Sequence, residues 1–158
     1  MENSEALKAD FKEFTRVVLG KSLQWLNDPE ITKRIYINGV DEESQEKWFK
    51  SLKKRRDYYI RSIWCKDKPI GALGIKSLTE KDGEVFIYIG EKEYWGKTIG
   101  IQGLRHIIDY AKSINLDSLY VRVLKDNIIS YKLMRRVGFK EESSNDCITI
   151  KLRLYLLP

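Results

Sequence analysis

The sequence predicts a mixed α/β fold: a sheet of six or seven strands flanked by helices, laid down in layers as one domain over residues 1–158. Three observations carry that expectation. An apolar strand, Ile87-Tyr88-Ile89, runs through a short glycine-bearing loop into an amphipathic helix. A buried-type strand, Leu119–Leu124, leads into a second helical segment. The run from Ile148 to Leu156 then alternates apolar and polar residues, as a half-buried strand does.

In chain order, Phe11 to Val18 reads as an opening strand because it is rich in aromatic and β-branched residues. Ser22 to Leu26 reads as a short helix ended by Asn27-Asp28-Pro29, and Glu30 to Tyr36 as a further helical turn. Asp41 is a natural N-cap, with Glu42 and Glu43 placed to favour the helix dipole. That helix carries Trp48, Phe49 and Leu52 on one side. Asp57 to Cys65 and Ile70 to Leu78 form two strands joined by the turn tetrapeptide Lys66-Asp67-Lys68-Pro69. After the turn Lys81-Asp82-Gly83, Val85, Ile87 and Ile89 alternate with Glu84, Phe86 and Tyr88, giving a strand with two different faces. Gly100, Gly103, Leu104, Ile107, Ile108 and Ala111 recur at helical spacing and make a face to lie on a sheet. Ser143 to Asp146 is a turn before the last strand.

The segment Trp95-Gly96-Lys97-Thr98-Ile99-Gly100 is the first candidate site. A helix start leaves backbone N–H groups without partners, and the dipole adds positive charge there; together they favour a phosphate. Gly96 and Gly100 permit close approach of a ligand, and Lys97 adds a cation at the mouth. The second candidate is the strand Leu119–Leu124 with the helix that Asn127 opens and Gly138-Phe139 closes.

The two motifs together, in this order, resemble the GNAT superfamily of acetyl-CoA-dependent acyltransferases, best from Ile70 to Phe139. Asn127, Ser130, Leu133, Gly138 and Phe139 fall on the family's second motif. The resemblance implies a mainly antiparallel sheet with a V-shaped splay between two central strands. It implies that acetyl-CoA enters this opening, with Ile87, Tyr88 and Ile89 along the pantetheine arm and Trp95 to Gly100 at the pyrophosphate. Asn127, Ser130 and Met134 line the cofactor from the second motif. Trp95 stands where the family commonly has Gln or Arg, and Thr98 where it has its first glycine. Trp95 and Trp25-Leu26-Asn27-Asp28-Pro29 are similar to the Rim-type and aminosugar branch. Met134 replaces a tyrosine that acts as general acid in many members, so Tyr131, one turn earlier, becomes the alternative acid. Glu84, at the start of the strand leading to the cofactor loop, is the candidate base. Trp25, Asn27 and Tyr36 are the candidate acceptor contacts, because aromatic walls suit a sugar or nucleobase and amides fix hydroxyls.

Composition narrows the classes. Apolar content of 42% and charged content of 33% describe a globular chain able to bury a core. There is no leader-like N-terminus and no apolar run of about eighteen residues, so the expected location is cytoplasmic, without a membrane partner. Two cysteines and one histidine give no metal-ligand cluster, and Cys65 and Cys147 are expected as free thiols. The net charge of +6 fits either a nucleic-acid partner or an anionic ligand such as coenzyme A. No nucleic-acid motif accompanies it, and Lys53-Lys54-Arg55-Arg56 reads as a solvated helix end. The expected reaction moves acetyl from acetyl-CoA to a primary amine, first an aminosugar nucleotide and second a protein N-terminus. The expected partner is therefore a small-molecule amine, and a homodimer is allowed. A non-catalytic acyl-CoA sensor is the alternative from another class.

Overall fold

The computed structural model describes residues 7–35 and 39–156. Its strands are β1 (Asp10–Lys12), β2 (Tyr59–Cys65), β3 (Lys68–Lys76), β4 (Glu84–Ile89), β5 (Ser118–Leu124), β6 (Lys140–Glu142) and β7 (Thr149–Tyr155). They form one seven-stranded sheet in the order β1-β2-β3-β4-β5-β7-β6. Every pairing is antiparallel except β4 with β5, which is parallel. The helices are α1 (Arg16–Trp25), α2 (Pro29–Thr32), α3 (Glu42–Ser51), α4 (Ile99–Ser113) and α5 (Ile128–Arg136). This is the mixed, mainly antiparallel architecture expected.

Helices cover both faces of the sheet, and strand alternation sorts the side chains between them. Val85 on β4, with Leu119, Val121 and Val123 on β5, packs with Ile99, Leu104 and Ile107 of α4 in the main core. The opposite face carries Ile60, Ala72 and Tyr88, which pack with Val18 and Trp25 of α1 and with Trp48 and Phe49 of α3. Gly103 lets α4 close on the sheet, because a Cβ there would lie 2.6 Å from Ile87 Cδ1 and 2.9 Å from Leu73 Cδ2.

Several boundaries differ from the sequence expectation. The opening strand spans only Asp10–Lys12, and the chain is already helical from Arg16. Phe14, Val18, Ser22 and Trp25 are buried while Val17 is 67% exposed, so the controlling period is helical despite the β-branched pair. The turn after Cys65 needs only Lys66 and Asp67, both with positive φ (51° and 64°), the conformation of a tight two-residue hairpin. Strand β6 is an unanticipated element; Lys140-Glu141-Glu142 is polar because it forms an edge. Asp41 caps α3 as expected, its Oδ1 accepting from Ser44 N–H at 2.7 Å. Cys65 is buried, Cys147 is exposed, and both are free.

Candidate active site

The site begins with a failure of pairing. Strands β4 and β5 are in register at one pair, Glu84 with Tyr120, where Tyr120 N–H donates to the Gly83 carbonyl at 3.0 Å. Strand β4 remains paired to β3 along its whole length. The gap therefore opens between β4 and β5, beginning at Glu84.

Backbone parity identifies what faces it. Gly83 C=O points to β5, whereas Gly90 N–H bonds the Ile70 carbonyl on the β3 side. Alternation then turns the peptide groups of Ile87 and Ile89 to the gap and those of Phe86 and Tyr88 to β3. The Ile89 carbonyl is taken by the Trp95 indole, whose Nε1 donates to it at 2.8 Å. Ile87 C=O and the N–H groups of Ile87 and Ile89 remain. Tyr88 was expected beside the pantetheine arm; its backbone is in the β3 ladder and its side chain faces the other side of the sheet.

A cleft of about 540 Å³ runs through the gap and is lined from both faces of the sheet. On the α4 and α5 side it is walled by Ile87, Val121, Val123, Ser130 and Met134. On the α1 and α3 side it is walled by Ser22, Trp48, Tyr58, Phe86 and Tyr88, with Glu84, Lys76 and Arg122 at one end. Burial pushes the Tyr58 hydroxyl up to about 12 and raises that of Tyr88 too, so both stay protonated near neutrality. Glu84 is a largely buried carboxylate, 9% exposed, with Arg122 Nη1 at 3.5 Å and Lys76 Nζ at 3.8 Å.

Beyond β4, a 3₁₀ turn (Lys92–Tyr94) and the loop Trp95–Thr98 deliver the chain to α4. Gly96 takes φ +74°, and a Cβ there would meet no atom within 4 Å, so its face is open. The first N–H of α4 to find a backbone acceptor is that of Gln102, to Thr98 C=O at 3.1 Å. The N–H groups of Ile99, Gly100 and Ile101 have no acceptor within the helix. The Ile99 side chain is fully buried, so only its backbone serves the loop. Thr98 Oγ1 accepts from Gln102 Nε2 at 3.0 Å and caps nothing in its own helix, leaving its O–H as a donor. Lys97 is exposed at the loop.

Asn127 caps α5, accepting from Ser130 N–H at 3.1 Å, and its Nδ2 donates to the Arg34 carbonyl at 2.9 Å. It therefore pins the segment after α2 against α5, beside the cleft that Arg34, Ile35 and Asn127 all line. Arg34 in turn lies over the Trp95 ring at 4.1 Å. Tyr131 packs against the main core and is absent from the cleft wall, whereas Met134, 3% exposed, lines it.

The expected acceptor contacts fare differently. Trp25 is buried beneath Gly90, where a Cβ would strike its ring, and packs edge-on to Tyr88. Asn27 exchanges hydrogen bonds with Val40, N–H to Oδ1 at 3.1 Å and Nδ2 to C=O at 2.8 Å, and so clasps the loop. Neither side chain lines the cleft. Tyr36 lies outside the described residues. Sequence reasoning overlooked Lys76, Tyr58 and Arg122. Phe86 shares the parity of Glu84 on β4 and was within reach of alternation; Lys76 and Arg122 needed register, Lys76 pairing with Glu84 on β3 and Arg122 lying two residues beyond Tyr120, the partner of Glu84 on β5. His106, on α4, bonds Tyr59 Oη at 2.8 Å and lines no part of the cleft. Among the described residues no cluster of three or more His, Cys, Asp or Glu forms a metal site. No described helix is long and apolar enough to cross a membrane.

Comparison with known proteins agrees with this geometry. The chain is 28% identical over 150 residues to the uncharacterised protein MJ1062 of Methanocaldococcus jannaschii, covering 88% of this chain and 30% of that protein. The present sequence thus spans less than a third of the length of that relative. A crystal structure of a domain from M. jannaschii superposes with a TM-score of 0.86 at 25% identity, covering 95% of this chain and 99% of that one. The fold is shared with Campylobacter jejuni N-acetyltransferase PseH in complex with acetyl coenzyme A, at TM-score 0.72 and 18% identity, covering 94% and 99% of the two chains. The family profile of the acetyltransferase (GNAT) domain matches residues 13–140. With that match over most of its length, the chain belongs to the GNAT acetyltransferase family.

Proposed function

We propose that residues 1–158 act as one acyltransferase domain that moves acetyl from acetyl-CoA to the primary amine of a small molecule by direct attack, an aminosugar nucleotide being the first choice. The observation that carries this reading is the gap between β4 and β5, bridged at one register pair and lined from both faces.

The residues fit the cofactor. Ile87 C=O and the N–H groups of Ile87 and Ile89 are an unfilled ladder edge, which suits the amides of a pantetheine arm. The open face at Gly96 and the N–H groups of Ile99, Gly100 and Ile101 suit a pyrophosphate, with the Thr98 hydroxyl and Lys97 beside them. Met134, Val121 and Val123 give an apolar wall. Acetyl-CoA supplies an acyl group already activated as a thioester. An N–H of β4 aimed at the thioester oxygen stabilises the negative charge that develops there. Glu84 takes the proton from the amine. It lies three residues before Ile87, about 10 Å along a strand, so a chain of waters carries the proton across. Tyr58, Phe86 and Trp48 form an aromatic wall on the acceptor side, which suits a sugar ring or a base.

A thiol-release assay with acetyl-CoA and an amine panel tests the proposal. The panel holds nucleotide aminosugars, N-terminal peptides of the Rim-type class and polyamines. Turnover with aminosugars above the other classes is expected. Turnover confined to peptides would move the acceptor to protein N-termini. Tight acetyl-CoA binding without turnover of any amine would leave the acyl-CoA sensor.

A further inference from the structure

We propose that Arg122 and Lys76 form an anion subsite that selects acceptors carrying phosphate, with the amine to be acetylated lying beyond Glu84 in the same cleft. The inference rests on the acyl-transfer reading and adds the chemistry of the acceptor's second group.

Free donors exceed free acceptors at this end of the cleft. Arg122 reaches in from β5 and Lys76 from β3, flanking the single Glu84 carboxylate at 3.5 and 3.8 Å. Both separations exceed a good hydrogen bond, and neither cation makes a side-chain hydrogen bond to another described residue. Their side chains are 45% and 47% exposed, so the donors face solvent in the cleft. The other carboxylate on the wall, Asp146, stays charged, its pKa held down first by the Thr149 hydroxyl and more weakly by Arg122, but its oxygens are already taken. Its Oδ1 accepts from Ile148 N–H at 2.8 Å and its Oδ2 from Thr149 Oγ1 at 2.6 Å. The remaining cation on the wall, Arg34, is stacked on Trp95. Arg122 and Lys76 share Glu84 and keep spare charged donors, which suit the oxygens of a phosphate. Arg supplies a planar fork and Lys a point charge, a pairing suited to phosphate oxygens. The same arrangement repels a polyamine, whose second ammonium would meet Arg122 or Lys76. Nearby, the aromatic wall of Trp48, Tyr58 and Phe86 takes the uncharged part of the molecule.

The test compares matched acceptors: glucosamine, glucosamine 6-phosphate and UDP-glucosamine, with spermidine as the cationic control. The wild-type kcat/KM for a phosphorylated amine should exceed that for glucosamine by about tenfold or more, the scale of a charge-assisted hydrogen bond. Arg122→Gln and Lys76→Gln should each collapse that ratio, which cancels any effect on Glu84 common to both substrates. Preference for glucosamine 6-phosphate would assign the subsite to a phosphate monoester, and preference for UDP-glucosamine to a nucleotide diphosphate. Equal kcat/KM for phosphorylated and plain amines, or a ratio unmoved in both variants, overturns the subsite while leaving acyl transfer standing. Should no amine be acetylated, calorimetry with UDP-glucosamine on protein saturated with coenzyme A decides. Binding lost in Arg122→Gln supports the subsite although the proposed reaction fails, and no binding to wild type overturns it.

Discussion

Asn127 performs two separable tasks, and two substitutions tell them apart. Its Oδ1 caps α5 at Ser130 N–H, 3.1 Å away, and its Nδ2 holds the Arg34 carbonyl at 2.9 Å. Loss of an Asn cap to Ala costs ~1 kcal/mol, and loss of one intramolecular hydrogen bond costs about 0.5–1.5 kcal/mol. Asn127→Ala should therefore destabilise by about 1.5–2.5 kcal/mol. For a chain of this size that lowers Tm by roughly 3–10 °C. Asn127→Ser keeps an equivalent cap and loses the reach to Arg34, so it should cost only the second part, about 0.5–1.5 kcal/mol. Urea titration with thermal melts measures both variants. Because Arg34 and Ile35 line the cleft, both variants should also raise the acceptor KM more than they lower kcat. An Asn127→Ala variant within about 0.5 kcal/mol of wild type would refute the reasoning, since that is less than either contribution alone. So would an Asn127→Ser variant as damaged as Asn127→Ala, because capping would then contribute nothing.

Three further outcomes are expected. Glu84→Gln should lower kcat by about 10²–10⁴-fold with acetyl-CoA affinity unchanged by calorimetry; full activity would return Glu84 to a structural role. Gly100→Asp should weaken acetyl-CoA binding at least tenfold, because it adds negative charge at the start of α4 and bulk against Leu133 Cδ2, 3.0 Å from the new Cβ. Burial, with the Arg61 charge second, depresses the pKa of His106 in the folded state. The unfolded chain then binds more protons than the folded one, so this contribution is complete above about pH 6.5 and is lost as pH falls below it. Tm measured from pH 7.5 down to 5 should fall less in His106→Phe than in wild type.

Much of the geometry of the candidate cofactor half was legible because it is made of backbone. An unpaired strand edge and a helix start depend on the order strand, glycine loop, helix, which sequence records directly at Ile87–Gly100. The Asn127 cap was legible for the same reason, since it acts three residues along the chain. Its second bond, to Arg34, joins residues far apart in sequence and left no local signal. The proposed acceptor half is assembled from α1, α3, the residue before β2, β3, β4 and β5, and chain packing and sheet register decide who meets whom. Trp25 and Asn27 illustrate the difficulty. An aromatic ring and an amide near a turn suit a sugar pocket, but the same chemistry fills the space under Gly90 and clasps the loop at Val40.

The period of two along β4 divides the labour of the site. Odd residues send backbone groups into the gap and side chains toward α4, which is what a threaded amide-bearing arm requires. Even residues bond to β3 through their backbone and send Glu84, Phe86 and Tyr88 to the opposite face. In the proposed reaction one strand would thus serve both substrates, from different atoms and different faces, meeting where β5 has drawn away. The same geometry suits Met134 at the position where the sequence resemblance implies a tyrosine proton donor. Its side chain is on the cleft wall beside Val121 and Val123, where an apolar, flexible group packs against an alkyl arm. The departing thiol has a pKa of about 8.5, so a thiolate can leave near neutrality with little assistance. In the proposed reaction the harder demands are a neutral amine and a stabilised oxygen, and those would fall to Glu84 and to the backbone of β4.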